Sequence, residues 1–169
     1  MNKKTLSGIM TKAAEMCARS GGRLTEKRKR VLEVLVASKV PLSAYEVADM
    51  YNKHADDGAM PAMSVYRILD FLEFEQLVHK LSSTSKYVAC SHIACDHGHE
   101  VPQFLICRKC QAVKEIAISK MVIDQIDDQV SQAGYALTNS QLELQCLCES
   151  CLASASALDP FSHRRDLNS

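Results

Sequence analysis

No stretch of this chain approaches the 18 or so consecutive apolar residues of a membrane-spanning helix, although 47% of its 169 residues are hydrophobic. The opening ten residues carry Lys3 and Lys4 with no apolar run behind them, so no secretory signal is legible. Net charge is also missing: 20 basic side chains are matched by 20 acidic ones. Neither HExxH nor HxE…PCxxC occurs, which removes two common signatures of catalytic zinc. These absences exclude a helical membrane protein and lead us to expect a cytoplasmic chain. The apolar content suffices for one or two small cored domains.

The balanced charge hides an asymmetry. Residues 1–89 hold 14 basic and 10 acidic side chains, whereas residues 90–169 hold 6 and 10. A basic half beside an acidic, cysteine-rich half points to one part that meets phosphate and another that meets metal.

Eight cysteines are present. Two pairs share one internal spacing, Cys107-Arg-Lys-Cys110 and Cys148-Glu-Ser-Cys151, with 37 residues between them. Two thiolates separated by two residues can bend around one ion, and a second such pair completes a closed tetrahedral shell, the usual structural zinc site. The alternatives are redox dithiols, which expect a thioredoxin-like βαβ setting, and disulfides, which expect an oxidising compartment.

Before residue 77 the hydrophobic spacing predicts four helices. Residues 4–20 place Leu6, Ile9, Met10, Ala13, Ala14 and Cys17 on one face, and Gly21-Gly22 ends the run. Thr25 is an N-cap candidate before residues 27–37, and Ser43 with Glu46 forms a capping-box pattern before a third helix. After the turn region at Asp56-Asp57-Gly58, residues 62–75 carry Val65, Ile68, Leu69 and Leu72 on one face. Residues 77–81 and 86–89 then read as a hairpin across Ser82-Ser83-Thr84-Ser85. Helices followed by a two-stranded ribbon make the layout of a winged helix-turn-helix.

The fourth helix leaves Ser64, Tyr66, Arg67 and Asp70 off its apolar stripe. A recognition helix needs that stripe to dock it and polar or guanidinium groups near its start to enter the major groove. Arg67 could bridge guanine O6 and N7, and Tyr66 could reach phosphate or a thymine methyl. The plainer alternative is a surface helix in which Arg67 pairs with a nearby acid. The run Arg23, Lys27, Arg28, Lys29 and Arg30 adds a candidate phosphate-positioning patch.

RLTEKRKRVLEVL, SAYEVADM, SVYRILDFLEFEQLVHK, SKYVAC, FLICRKCQAVKEI and CLCESC occur in this order. With these segments the chain resembles the ferric uptake regulator family of metal-responsive repressors and, within it, the zinc-sensing branch. The resemblance runs from about Cys17 to Cys151. It implies an α+β protein: a winged-helix DNA-binding domain over residues 1–89, a hinge at 90–103 and a zinc-bearing α/β dimerisation domain over 104–152. It further implies a homodimer that binds double-stranded operator DNA, with Lys27, Arg28, Ser64, Tyr66 and Arg67 in contact and no small-molecule substrate. The residues of the second half agree: strands at 104–106 and 112–118, a helix at 119–133 and a strand at 136–146. Residues 153–169 show no periodicity and read as a tail, with His163 a bystander.

The resemblance also implies a second zinc, about two per subunit in all, at the hinge. Carried over by position, its ligands are His79 in LVHK, Cys90 in YVAC, a histidine of the following loop and Glu115 in AVKEI. For the loop His99 is favoured, His97 is the alternative and His92 comes third. A thiolate in that shell favours zinc over iron(II). Cys17 reads as core, while Cys95 and Cys146 are surplus thiols. Two rival classes remain at this point. One is a zinc enzyme with an open coordination position, and the other is a protein-binding zinc module. A regulator of this family sensing iron, manganese or peroxide is the nearer alternative.

Overall fold

The computed structural model describes residues 3–53, 58–93 and 101–156. Four helices come first: α1 (Lys3–Arg19), α2 (Glu26–Ala37), α3 (Ala44–Asn52) and α4 (Ala62–Phe74). Apolar residues at helical spacing bury one face of each: Val31, Leu32 and Leu35 of α2, Val47, Ala48 and Tyr51 of α3, and Val65, Leu69 and Leu72 of α4. Burying each large aliphatic side chain contributes about 1.5–3 kcal/mol, so this stripe holds α4 in place. Cys17 is fully buried in the same core.

Local chemistry fixes the ends. Gly21 has a φ of +79°, and a Cβ on Gly22 would stand 2.5 Å from Glu75 Oε1. Ser20 Oγ donates to the same carboxylate at 2.5 Å, so the turn after α1 is pinned against the end of α4. The Ser43–Glu46 capping box forms in full: the Glu46 amide donates to Ser43 Oγ at 3.2 Å and the Ser43 amide to Glu46 Oε2 at 2.7 Å. Thr25 does occupy the N-cap of α2, but its side chain makes no cap hydrogen bond.

A ribbon of β1 (Val78–Leu81) and β2 (Lys86–Ala89) follows, antiparallel, with His79 opposite Val88 and Lys80 opposite Tyr87. Leu42 exchanges backbone hydrogen bonds with Tyr87 on the outer side of β2. Side chains alternate along a strand, and here the two faces serve different cores. Val78 and Tyr87 pack into the helical core. Leu81 and Val88 instead pack with Phe104, Ile106 and Val113 of the second half.

That second half is a three-stranded sheet, ordered β4-β3-β5, from β3 (Gln103–Cys107), β4 (Val113–Ile116) and β5 (Glu143–Cys146). β3 pairs with β4 antiparallel and with β5 parallel, and α5 (Lys120–Gln132) makes the crossover. Two expectations change. The strand read at 136–146 is regular only over Glu143–Cys146, because residues 140–142 are drawn aside by Gln103, a buried carboxamide bonded to Val101, Ser140 and Leu142. Residues after Cys148 form α6 (Glu149–Ser156), so residues 153–156, read from sequence as the start of a tail, continue a helix. The remainder of that stretch, residues 157–169 with His163, lies outside the described residues.

Replacing Ser43 by Ala removes one half of the capping box. It should cost about 1 kcal/mol in chemical denaturation, with the far-ultraviolet spectrum of the native state unchanged.

Candidate metal centres and nucleic-acid interface

The two cysteine pairs meet because β3 and β5 run side by side, with Cys107 in register with Cys146. After Cys107 the chain turns sharply: Gln111, at a φ of 61°, donates its amide to the Cys107 carbonyl at 2.9 Å, which folds Cys110 back beside Cys107. On the other strand Cys148 follows β5 directly and Cys151 lies in the first turn of α6. The four sulfurs lie within 4.8 Å of one another, and Cys110 and Cys148 are 3.7 Å apart. A tetrahedron with metal–sulfur bonds of about 2.3 Å has edges of about 3.8 Å, whereas a disulfide needs about 2.05 Å. The spacing therefore fits an ion and not a bridge.

Electrostatics agree with that geometry. The Cys110 amide, then that of Cys148, hold the Cys107 thiol down at about 6. Hydrogen bonding to Cys148, then burial, pushes Cys151 up to about 12. Four sulfurs this close cannot all ionise in the absence of a cation, and a divalent ion is what collects them.

A second cluster lies where the ribbon meets the sheet. His79 of β1, Cys90 just after β2 and Glu115 of β4 place one ligand atom each within 4.8 Å of one another. Cys90 is buried and the Glu115 side chain is only 6% exposed. His79 Nε2 stands 3.7 Å from Glu115 Oε1, with its ring tilted on Phe104 at 5.5 Å between centroids. Burial by itself pushes the Glu115 carboxyl up. The Ser91 amide at 2.8 Å and the His79 and His92 rings outweigh it and hold the group below the ordinary carboxylate range. A nitrogen, a thiol sulfur and a carboxylate oxygen, gathered and mostly shielded from water, suit zinc in tetrahedral geometry.

His92 is the one loop histidine among the described residues. Its Nδ1 is 2.9 Å from Glu115 Oε1, and its backbone amide donates to Cys90 Sγ at 3.4 Å. Cys95, His97 and His99 lie outside the described residues. Among the surplus thiols, Cys146 donates to the Ile106 carbonyl at 3.6 Å.

On the opposite side of the ribbon, α4 presents Ser64 and Arg67 to solvent while Val65 and Leu69 anchor it. Tyr66 is half-buried and meets the ring of Tyr45 edge-on, at 6.1 Å between centroids. Tyr45, 65% exposed on α3, was not singled out from sequence. Its proximity to Tyr66 arises from how α3 packs on α4, which no local pattern encodes. The basic run divides in two. Arg28 lies 3.4 Å over the Phe71 ring and donates to the Arg23 carbonyl, and Arg30 stacks at 4.7 Å on Tyr51. Arg23 and Lys27 are exposed. Arg28 is thus first a brace between α2 and α4, a use of guanidinium that lysine would not match.

Comparison with known proteins bears on the same features. The ferric uptake regulator family model matches residues 19–145. The chain is 33% identical to the zinc uptake regulation protein of Escherichia coli K12 over 166 residues, covering 98% of this chain and 94% of that protein. It is 27% identical over 148 residues to the ferric uptake regulation protein of Helicobacter pylori strain 26695, covering 88% and 94%. A zinc uptake regulator solved in complex with zinc and DNA superimposes with a TM-score of 0.77 at 30% identity, over 90% of this chain and 98% of that one. The crystal structure of holo XcZur gives 0.71 at 30% identity, over 85% and 96%. The chain belongs to the ferric uptake regulator family.

Proposed function

We propose that this protein is a zinc-responsive transcriptional repressor. It binds operator DNA as a zinc-loaded homodimer and shuts off zinc-uptake genes when zinc is plentiful. The observation that carries this reading is the meeting of His79, Cys90 and Glu115 across the junction of ribbon and sheet. A ligand set drawn from two movable units makes metal occupancy and their relative placement one equilibrium.

The chain would hold two zinc ions. Cys107, Cys110, Cys148 and Cys151 form the structural shell, and His79, Cys90, Glu115 and one histidine form the regulatory one. His99 or His97 supplies the fourth ligand, or His92 does so by turning from Glu115. Bound zinc supplies charge neutralisation and a fixed tetrahedral angle between ligands. The remaining work belongs to the chain. Glu115 ties the sheet to the ribbon, His79 continues that tie into β1, and the ribbon carries α4 with it. Two protomers so fixed present their recognition helices at the spacing of two half-sites. With the sensor shell open, the competent arrangement is a minor state, and apparent affinity falls by its population. Arg67, Ser64 and Tyr66 read bases from α4, and Lys27 and Arg28 position phosphate.

Dimerisation uses the second half, where α5 buries none of its own residues within one chain and Met121, Val122 and Tyr135 are exposed. No helix among the described residues is long and apolar enough to cross a membrane. With a histidine as fourth donor at the hinge, as with four cysteines at the other site, no position would remain for the water that a catalytic zinc activates. A thiolate in the sensor speaks against iron or manganese as effector.

Cys110→Ser should lose dimer and structural zinc together, because metal binding here is folding free energy; sedimentation with metal analysis decides, and a dimeric variant with full zinc content refutes the assignment. Cys90→Ser should remain a folded dimer holding its structural zinc, yet fail to tighten on operator as zinc is added. The same titration on His92→Ala, His97→Ala and His99→Ala identifies the fourth ligand. If Cys90→Ser responds like the wild type, the sensor lies elsewhere. Arg67→Ala should cost about 1–3 kcal/mol and relax specificity at one position per half-site, while Lys27→Ala should weaken all sequences alike and lower the salt slope. Equal loss on operator and random DNA from Arg67→Ala would show that α4 is not the reader.

A further inference from the structure

One cross-strand row of the sheet carries a second grip on the ribbon. Phe104 is in register with Glu115 on one side and with Glu143 on the other. Registered residues of neighbouring strands share a face, so Glu115, Phe104 and Glu143 form a line with a carboxylate at each end. Phe104 packs against Leu81 and Val88 of the ribbon. Glu115 reaches the ribbon's open end at His79, Cys90 and Ser91. Glu143 reaches its closed end, where its carboxylate accepts the Ser82 amide at 2.5 Å and the Ser83 amide at 3.0 Å. Gln141 adds a third link, donating to the Lys80 carbonyl at 3.0 Å and to Glu143 Oε1 at 3.2 Å.

This grip is built rather than incidental. Gln103, only 1% exposed, holds the segment ahead of Glu143 by accepting the Leu142 amide and donating to the Ser140 carbonyl. The Phe104 amide donates to the Leu142 carbonyl at 2.9 Å. The turn that Glu143 holds ends at Ser85, with a φ of 52°, and both its Ser82 and Ser83 amides donate to this one carboxylate. Hydrogen bonds from amides to an ionised carboxylate are among the stronger ones in proteins.

We infer that Glu143, seconded by Gln141, is a positioning residue that holds the wing turn against the dimerisation sheet without metal, and so sets how much zinc the hinge site requires. It rests on the zinc-sensor reading above and deepens it. With the closed end held, only the open end remains to be ordered when zinc arrives, and a smaller ordering cost means tighter binding. Zinc and Glu143 thus favour the same docked arrangement, and linkage makes each strengthen the other.

The test uses the full-length dimer with the four-cysteine site loaded and the sensor site empty. Hydrogen exchange is followed at the Ser82 and Ser83 amides, and sensor zinc affinity is measured by competition with a chelator. Glu143→Ala should speed exchange at both amides about tenfold or more and weaken sensor zinc binding by about tenfold. Structural zinc content and the operator affinity reached at saturating zinc should stay near wild type. Glu143→Gln keeps the shape but can accept only through one oxygen, and should fall between the two. Glu143→Ala exchange equal to wild type overturns the latch. Faster exchange with unchanged zinc affinity overturns its coupling to the sensor. Loss of structural zinc or of the dimer in both variants also overturns the inference, by making Glu143 a folding residue. If wild type binds no second zinc, the sensor reading fails, and the exchange data still judge the latch separately.

Discussion

A two-stranded ribbon in water is marginal by itself, and this one is stable because each face is buried against a different partner. Val78 and Tyr87 belong to the helical core, and Leu81 and Val88 to the sheet's. Strand alternation alone produces that division, since neighbouring residues must point to opposite sides. A register slip of one residue would exchange the two sets and put His79 into the helical core. The exchange of backbone hydrogen bonds between Leu42 and Tyr87 opposes such a slip from the outer side of β2. The candidate metal cluster and the Glu143 contact both depend on this register, because each takes hold of residues that only one register brings to the sheet.

What could be read from the sequence was what is encoded locally. The helices of the first half appear with ends within about two residues of those expected, within the usual scatter of such boundaries, because amphipathic spacing and the Ser43–Glu46 box act over a few residues. The paired cysteines were legible for the same reason. The fold of the second half followed from periodicity and resemblance, but β5 came out shorter, since the pull of Gln103 on residues 140–142 is a tertiary effect. The start of α6, at Glu149, was hidden in small polar residues that carry no apolar stripe.

Site residues divide along the same line. His79, Cys90 and Glu115 are proposed from resemblance and do converge, although the first and last stand 36 positions apart. The contact of His92 with Glu115 could not be foreseen, because it depends on how the turn after β2 folds back over the sheet. Arg28 shows the reverse. A basic run invites a phosphate reading for every member, but Phe71, 43 positions from Arg28 in sequence, has its ring 3.4 Å from the Arg28 guanidinium in space. Packing decides which cations of such a run stand free of the protein's own surface, and here Lys27 is the more exposed.

The path from the candidate sensor cluster to α4 is short and stiff. α4 ends at Phe74, and the Leu77 amide donates back to the Leu72 carbonyl at 2.9 Å across a bend in which Gln76 takes a φ of 57°. The Cys90 amide in turn donates to the Leu77 carbonyl at 3.0 Å, so a proposed zinc ligand is bonded directly to the link between helix and ribbon. Leu72 and Leu77 are both fully buried. A displacement of the ribbon cannot be absorbed in this bend without breaking those hydrogen bonds in a dry core, at about 1–3 kcal/mol for each group left unpaired. Ribbon and α4 are therefore tied into one unit, and in the proposed mechanism the boundary that responds to metal lies between the ribbon and the sheet. That is the boundary which His79, Cys90 and Glu115 span.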